Sequence, residues 1–302
     1  MKSISVLLSV FENSPYLPDF LKSLKNQTCG DFQLVYRLDG ENDAVDDTLF
    51  KFNDSIHLAN SEHLGVVKSY NQLIAKALDS DYYMFADQDD IWYQDKIEVS
   101  RNAIQQAEDI FGANTPILIH SDLRVVDSNL KTIAKSFVRY QSLQPCKNEL
   151  KDLIVQNNAT GCTMIFNRAL RNIADIPEDA ICHDWYMALI AAAFGKIIFL
   201  DCPLIDYRQH SCNFYGAMPR KKLMEKFFQR KNLHYRIQLT QKQAQLFALQ
   251  FEKQLSEEQL RILKLWYDNL NDSNYLRKLF STWKAGFRKN DWLRTIGMWW
   301  AL

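Results

Sequence analysis

The sequence predicts an α/β domain followed by a helical extension, and three observations support this prediction. Before residue 90, apolar β-branched segments alternate three times with segments of helical periodicity. Acidic residues stand where the predicted strands end, at Glu12, Asp39 and Asp87. After Pro219 the chain changes to long polar helices rich in Lys, Arg, Gln and Trp. We therefore expect an α/β domain at 1–217 and a helical extension at 218–302.

The individual elements follow from apolar patterning and turn residues. Strands are predicted at 4–11, 32–38, 56–58 and 82–86, a helix ends near Asn26, and an acidic loop covers 41–47. A second helix after Gly65 has apolar positions at Val67, Tyr70, Leu73, Ile74 and Ala77. Later strands are predicted at 117–120, 123–126, 162–166, 196–200 and 204–207, and a helix at 184–194. A capping box at Ser256 predicts a helix that runs to about Leu270.

Composition and charge limit the class of protein. The 302 residues are 47% hydrophobic, enough for a substantial core. The net charge is zero, but residues 1–217 carry 19 basic and 29 acidic residues, whereas residues 218–302 carry 17 and 7. We expect two different roles for these parts. Six cysteines without a C-x-x-C pair, and no recognisable signal peptide, predict reduced and mostly buried thiols in the cytoplasm. No apolar run approaches the roughly 20 residues that span a bilayer.

The acidic run Asp87-Gln88-Asp89-Asp90 directly follows the aromatic strand predicted at 82–86. Clustered carboxylates repel one another unless water, hydrogen bonds or a hard cation compensates them, and Mg²⁺ or Mn²⁺ suits carboxylate oxygens. On an extended turn alternate residues point the same way, so Asp87 and Asp89 can reach one ion. The alternative is a solvated turn in which Asp89 or Asp90 caps a helix over 91–104.

Six segments resemble the bacterial rhamnosyltransferase-like members of the family 2 glycosyltransferases, which have the GT-A fold. The resemblance covers roughly residues 2–217 and depends on the order and spacing of the segments. It implies a Rossmann-like mixed sheet of the nucleotide-diphospho-sugar transferase type. The segments are the strand that ends at Val10-Phe11-Glu12, Leu38-Asp39-Gly40, the run His63-Leu64-Gly65 with its helix to Asn71, the acidic run, His183-Asp184-Trp185, and Tyr207-Arg208-Gln209-His210-Ser211-Cys212-Asn213.

The resemblance also implies site residues. Asp184 is implied as the catalytic base, although the usual first acid of its dipeptide is His183 here. The alternatives from the residues alone are that Asp184 is a helix N-cap, that Asp39 is a turn residue before Gly40, and that Lys68 faces solvent. The other implied residues are Val10, Glu12, Asp39, Lys68, Asn71, Asp87, Gln88 and Arg208 for the donor nucleotide sugar, Asp87, Asp89 and His210 for the metal, and Asn158, Thr160, Gly161 and Trp185 for the acceptor side.

The resemblance implies an inverting, metal-dependent transfer of L-rhamnose from dTDP-β-L-rhamnose to a glycan or lipid-linked oligosaccharide acceptor in surface polysaccharide synthesis. A UDP-hexose or N-acetylated hexosamine donor, and a non-catalytic binding module, are the alternatives. Five of the seven tryptophans lie in the basic tail, which fits either the inner membrane face or a homodimer contact. We expect a cytoplasmic protein, peripheral on that membrane if the tail binds lipid. Nucleic acid is disfavoured because no recognition motif is present.

Overall fold

The computed structural model describes residues 2–12, 14–52, 55–58, 62–210, 230–268, 272 and 274–302. The chain divides into two compact units, Met1–Phe137 with Ala159–Ala217, and Val138–Asn158 with Met218–Leu302. The second unit thus includes an internal segment, 138–158, that the sequence did not distinguish from its surroundings. The predicted boundary between 217 and 218 lies outside the described residues, as does the quoted segment 211–213.

The first unit is built on one mixed sheet. Among the described residues the sheet has nine strands in the order β3-β2-β1-β4-β8-β6-β9-β5, with β7 paired to β6. The strands are β1 Ile4–Val10, β2 Gln33–Leu38, β3 Ile56–His57, β4 Tyr82–Ala86, β5 Ile91–Trp92, β6 Ile117–Asp127, β7 Thr132–Ala134, β8 Ile165–Asn167 and β9 Lys196–Gln209.

The pairing within the sheet brings the ends of the N-terminal strands together. Strand β1 lies between β2 and β4 and pairs in parallel with both. Strand β8 then runs antiparallel to β4 and β6, whereas β6 and β9 are parallel. The strands β1, β2 and β4 are almost wholly buried, which explains their continuous apolar sequences. Their carboxyl ends meet at one edge, where ligands of open α/β sheets bind.

Helices follow most of the strands and continue into the second unit. The α-helices in the described part of the chain are α1 Leu17–Lys25, α2 Asp43–Phe50, α3 Val66–Lys76, α4 Lys96–Phe111, α5 Phe137–Tyr140, α6 Leu150–Leu153, α7 Arg168–Ile173, α8 His183–Phe194, α9 Arg230–Gln250, α10 Glu257–Tyr267, α11 Tyr275–Lys284 and α12 Trp292–Ala301, and a 3₁₀ turn covers Gly161–Thr163.

Several predictions about these elements were wrong. The strand predicted at 162–166 overlaps the 3₁₀ turn Gly161–Thr163, so β8 begins only at Ile165, and the strands predicted at 117–120 and 123–126 form the single strand β6. The predicted acidic loop at 41–47 contains the start of α2, because the Asn42 side chain caps that helix by accepting from Val45 N–H. The strands predicted separately at 196–200 and 204–207 form one strand, β9, which pairs with β6 through a register shift after Ser121. Residues 91–92 are a strand rather than the first turn of a helix, so neither Asp89 nor Asp90 is the predicted cap.

The second unit is a helical assembly with its own core. The capping box predicted at Ser256 is present and opens α10. Trp266 is fully buried and donates its indole N–H to Thr240 Oγ1 at 3.2 Å. His234 Nδ1 lies 2.7 Å from the carbonyl of Ala301, which ties α9 to the end of α12. Within the described residues, no helix is both long and apolar enough to cross a bilayer.

Candidate active site

The carboxyl edge of β1, β2 and β4 gathers the acids predicted to follow these strands. The backbone N–H of Asp39 donates to the carbonyl of Val10 at 2.7 Å, so the ends of β2 and β1 are in direct contact. Glu12 follows β1 with a left-handed φ of 56°, a conformation that is uncommon for residues other than glycine. Gln88, after β4, donates to the carbonyl of Phe11 at 2.9 Å. These segments therefore line one side of a common edge.

Asp39 is buried and its carboxylate is well supplied with donors. Oδ1 accepts from Arg37 at 2.7 Å and from Leu64 N–H at 2.6 Å, and Oδ2 accepts from Gly65 N–H at 2.9 Å. Burial alone would raise the pKa of Asp39, but the hydrogen bonds from Leu64, Arg37 and Ser69 outweigh it and lower that pKa. Asp39 is therefore an ionised anchor for the segment that opens α3. Its predicted contact with the donor nucleotide stays a prediction.

Asp87, Asp90 and Cys162 form the densest cluster at the end of β4. One ligand atom from each lies within 4.8 Å of the others. Burial and the negative charge of Asp89 raise the pKa of Asp87, and burial followed by the charges of Asp89 and Asp87 raises that of Asp90. Burial also raises the pKa of the Cys162 thiol well above its usual range. The cluster thus combines mutually repelling carboxyl groups with a thiol that stays protonated.

The donor set of this cluster fits a divalent cation with oxygen ligands. Asp90 Oδ2 is buried and has no hydrogen-bond partner in the part of the chain that the structure describes. An unpartnered buried carboxylate oxygen is costly unless an ion or water compensates it. Mg²⁺ and Mn²⁺ favour carboxylate oxygens, whereas a protonated thiol is a poor ligand for either. Asp87 and Asp90 are therefore the residues whose geometry best suits such an ion.

The predicted metal ligands Asp89 and His210 lie next to each other. His210 Nε2 is 2.7 Å from Asp89 Oδ2, and both side chains are about 15% exposed. The ring of His210 also contacts the ring of Tyr16, with centroids 5.0 Å apart. The structure thus pairs these two residues with each other, and their role as metal ligands stays a prediction.

Arg208 holds the acidic run in place through its backbone and its side chain. Its guanidinium donates to the carbonyls of Asp89 and Ser128, each at 3.0 Å, and to Asp19 Oδ2 at 2.9 Å. Its backbone N–H donates to Asp90 Oδ1 at 3.3 Å. The Arg208 side chain is 3% exposed. These contacts give Arg208 a positioning role, and its predicted contact with the donor is untested.

Asp184 lies in the first turn of α8 and faces the turn that contains Gly161. Its Oδ2 accepts from Gly161 N–H at 3.0 Å, and its Oδ1 accepts from Trp185 N–H. The residue is at the second position of the helix and Cys182 is the cap, so the N-cap alternative was wrong. Burial raises the pKa of Asp184, although these hydrogen bonds oppose the shift. The charge of Asp184 also raises the pKa of Asp87, which places it in the same electrostatic cluster.

His183 replaces the first acid of the implied dipeptide and is part of the core. Its ring stacks on Tyr70 with centroids 3.8 Å apart and meets Phe85 edge-on at 4.9 Å. Burial lowers the pKa of His183 to about 3, so the imidazole is neutral at neutral pH. The residue therefore fixes the start of α8 beside Asp184 and adds no charge there.

Lys68 and Asn71 are placed on α3 facing the segment that precedes α8. Lys68 Nζ pairs with Glu178 at 2.7 Å, on an exposed surface. Asn71 Oδ1 accepts from Ile176 N–H at 3.2 Å. The sequence predicted that both residues contact the donor, and this stays a prediction.

The residues predicted for the acceptor side are divided between the two units. Gly161, Thr160 and Trp185 belong to the first unit, where Gly161 and Trp185 both donate to Asp184. Asn158 belongs to the second unit, where its amide donates to the carbonyls of Gln144 and Lys147 at 3.2 and 2.7 Å. An acceptor contact for each stays a prediction.

Sequence reasoning missed several residues of the cluster. Asp90 was named as part of the acidic run and as a possible helix cap but not as a metal ligand, and Cys162 and Tyr70 were named only as core positions, yet Tyr70 Oη donates to Asp87 Oδ1 at 3.2 Å. Lys96 is fully buried in α4, with Nζ 4.4 Å from the centroid of the Trp92 ring. The acidic run followed two residues later by Trp92-x-x-x-Lys96 was a usable signal, because a lysine is almost never fully buried unless an opposite charge lies nearby.

Comparison with known proteins matches this part of the chain to an established family. The model of glycosyl transferase family 2 matches residues 5–173, more than half of the chain. The dTDP-rhamnosyl transferase RfbG of Shigella flexneri is 28% identical over 147 residues, which cover 45% of this chain and 46% of that protein. An uncharacterized glycosyltransferase of Rickettsia typhi is 21% identical over 213 residues, 68% of this chain and 64% of that protein. The chain thus spans about half to two thirds of these relatives.

Solved structures agree with the fold. The crystal structure of TarS from S. aureus superposes with a TM-score of 0.56 at 16% identity, covering 90% of this chain and 44% of that one. TarS 1–349 in complex with UDP-GlcNAc gives 0.56 at 15% identity, covering 99% of this chain and 90% of that one. The fold is therefore that of a GT-A glycosyltransferase, with a helical C-terminal region.

Proposed function

The chain belongs to glycosyl transferase family 2, and we propose that it transfers a sugar, with inversion, from a nucleotide diphosphate donor to an acceptor hydroxyl. The observation that supports this function best is the placement of Asp184. Its carboxylate is held by Gly161 N–H at 3.0 Å and lies in the same electrostatic cluster as Asp87. A proton acceptor next to a site for a diphosphate is what a single-displacement glycosyl transfer requires.

In the proposed reaction Asp184 takes the proton of the acceptor hydroxyl. The acceptor oxygen forms a new bond to the anomeric carbon while the bond from that carbon to the diphosphate oxygen breaks. The leaving group departs with the electron pair of that bond, so one displacement inverts the anomeric centre. The raised pKa of Asp184 makes it a stronger base than an exposed carboxylate.

Asp87 and Asp90 are the residues that we propose to hold a divalent cation, with Asp89 and His210 beside them. A bound Mg²⁺ or Mn²⁺ would neutralise charge on the leaving diphosphate. Tyr70 donates to Asp87, and Arg208 fixes the backbone of Asp89 and Asp90, so the chain's own contacts orient these acids. Arg208, on the same edge, adds positive charge beside these acids.

For the donor we propose dTDP-β-L-rhamnose, with a lipid-linked or growing surface polysaccharide as the acceptor. The support for rhamnose is the similarity to the dTDP-rhamnosyl transferase RfbG over 45% of the chain. A UDP-hexose or UDP-N-acetylhexosamine donor is the second candidate, supported by the structural likeness to TarS, which was solved in complex with UDP-GlcNAc. A binding module without activity is disfavoured because Asp87, Asp89 and Asp184 are all present.

Thermal unfolding with a panel of nucleotide sugars tests donor and cation together. A ligand that binds only the folded state raises the unfolding temperature by mass action. We expect dTDP-rhamnose to stabilise the protein in the presence of Mn²⁺ or Mg²⁺ and to lose this effect with a chelator. Stabilisation by UDP-sugars alone would keep the reaction class and reject rhamnose, and no response to any nucleotide would reject the enzymatic proposal.

Substitution of the base tests the mechanism. Asp184→Asn keeps the size of the side chain but cannot accept the proton, so we expect turnover to fall by about 10²–10⁴-fold. Donor-induced stabilisation should remain, because the donor contacts other residues. Turnover equal to that of the wild type would remove Asp184 from the mechanism.

A further inference from the structure

The helix α11 of the second unit exposes a row of large apolar side chains. Leu276, Phe280 and Trp283 are 72%, 60% and 54% exposed. Their spacing of four and three residues places them on one face of the helix. Neighbouring apolar side chains on one exposed helix face usually mark an interaction surface.

Basic side chains border this apolar row. Arg277 and Lys284 are both exposed and stand seven residues apart, so they share one flank of α11. Arg277 Nε also lies 3.7 Å from Asp272 Oδ2, just before the helix, whereas Lys284 stands at the other end of this flank. In the described residues of α11 no acidic side chain is present, and the whole tail from 218 to 302 has 17 basic against 7 acidic residues. The surface is therefore apolar along its centre and positively charged at its border.

The helix α12 continues the same character. Trp292, Ile296 and Trp300 are spaced four residues apart and are 63%, 42% and 38% exposed. Tyr275 Oη donates to the carbonyl of Trp299 at 3.2 Å, which joins the beginning of α11 to the end of α12. Lys278 Nζ donates to the carbonyl of Leu302 at 3.3 Å. These two hydrogen bonds join the helices, and each helix carries an exposed apolar row; we call the segment 275–301 the hairpin.

We propose that this hairpin, 275–301, is a docking surface for an anionic lipid bilayer. Tryptophan, phenylalanine and leucine enter the boundary between headgroups and acyl chains, while flanking lysine and arginine contact anionic headgroups. The charge argues against a second copy as the partner, because a two-fold contact through this face would bring the basic flanks of two copies together. Nucleic acid would use the basic residues but leaves the aliphatic Leu276 and Ile296 without a partner.

Flotation of the full chain with lipid vesicles tests this proposal independently of the donor and the reaction. Vesicles of phosphatidylcholine alone are compared with vesicles that also contain phosphatidylglycerol, at low and at high salt. We expect binding to the anionic vesicles that weakens as salt rises. The combined change Leu276→Gln, Phe280→Gln and Trp283→Gln should lower the vesicle affinity by at least about tenfold. Arg277→Gln and Lys284→Gln should each lower it by about fivefold.

A matched control is available in the same unit. Leu249 on α9 is 67% exposed, so Leu249→Gln removes a comparable apolar side chain outside the hairpin and should leave vesicle binding unchanged. Circular dichroism melting checks that every variant is folded.

Three results would overturn the proposal. One is that the wild-type chain binds neither kind of vesicle, and another is that the triple variant binds anionic vesicles as tightly as the wild type. The third is that the triple variant changes the oligomeric mass in light scattering while vesicle binding is unaffected, which would assign the surface to a second copy.

Discussion

Gly161→Ala should impair the transfer reaction without unfolding the protein, because the added methyl group lies against the proposed base. A Cβ at this position would be 3.0 Å from His183 Nε2 and 3.3 Å from Asp184 Cβ, closer than the 3.4 Å at which ordinary contact begins. The His183 ring must therefore move away from the new methyl group by about 0.4 Å to reach ordinary contact distance. His183 cannot give way easily, since its ring is stacked on Tyr70 and packed edge-on against Phe85.

The expected magnitudes follow from this geometry. A displacement of about 1 Å can cost a reaction about 10²-fold, so a shift of a few tenths of an ångström should lower kcat by roughly tenfold. Extra volume in a packed site costs about 1–3 kcal/mol, and the lower entropy of the unfolded alanine chain returns about 0.5 kcal/mol. The net loss of unfolding free energy should be about 1 kcal/mol.

Steady-state kinetics and thermal unfolding measure these two effects separately. Gly30→Ala is the matched control, because a Cβ there has no neighbour within 4 Å. We expect the control to match the wild type in kcat and to be about 0.5 kcal/mol more stable, and the KM for the donor to change little in Gly161→Ala. If Gly161→Ala and Gly30→Ala have the same kcat, the argument that this contact positions Asp184 is refuted.

Three further predictions concern stability and the charge of the site. Burial lowers the pKa of His120 from 6.5 to about 4, so the unfolded state takes up the proton first as pH falls. Through His120 the protein should lose about 2.5 kcal/mol of unfolding free energy between pH 7.5 and 4.5, and denaturant titrations of His120→Leu should show a smaller loss over that range. Burial lowers the pKa of Lys96 from 10.5 to about 8 despite the attraction of Asp90, so the protonated lysine costs the folded state about 3 kcal/mol near neutral pH. Lys96→Met should therefore raise the unfolding free energy of the cation-free protein near neutral pH, and it should enlarge the shift in unfolding temperature on adding Mn²⁺ because it removes a positive charge near Asp90; an unchanged shift would contradict the electrostatic role. Gly195→Ala would place a Cβ 1.8 Å from the carbonyl oxygen of Pro116, so we expect a loss above about 4 kcal/mol and little folded protein, and an alanine variant that melts like the wild type would show this reasoning to be wrong.

The sequence alone was least able to predict which carboxylate lies beside Asp87. Asp87 was predicted to be a site residue because it follows an apolar strand, and that strand has the predicted bounds, Tyr82–Ala86. The ligand partner suggested by spacing was Asp89, because alternate residues of an extended turn point the same way. In the structure Asp89 turns to His210 at 2.7 Å, and Asp90 lies beside Asp87 with Cys162.

The sequence by itself determined the order of strands and helices in the N-terminal part, the acids at the carboxyl ends of β2 and β4, and the capping box of α10. These features depend on local periodicity and on residues within one turn of one another. Only the tertiary structure decided that Cys162 joins Asp87 and Asp90, that Gly161 N–H holds Asp184, and that Arg208 supports the acidic run. Such contacts join residues 23 to 119 positions apart. They are set by the antiparallel pairing of β8 with β4 and by the parallel pairing of β9 with β6, and no local pattern in the chain specifies these pairings.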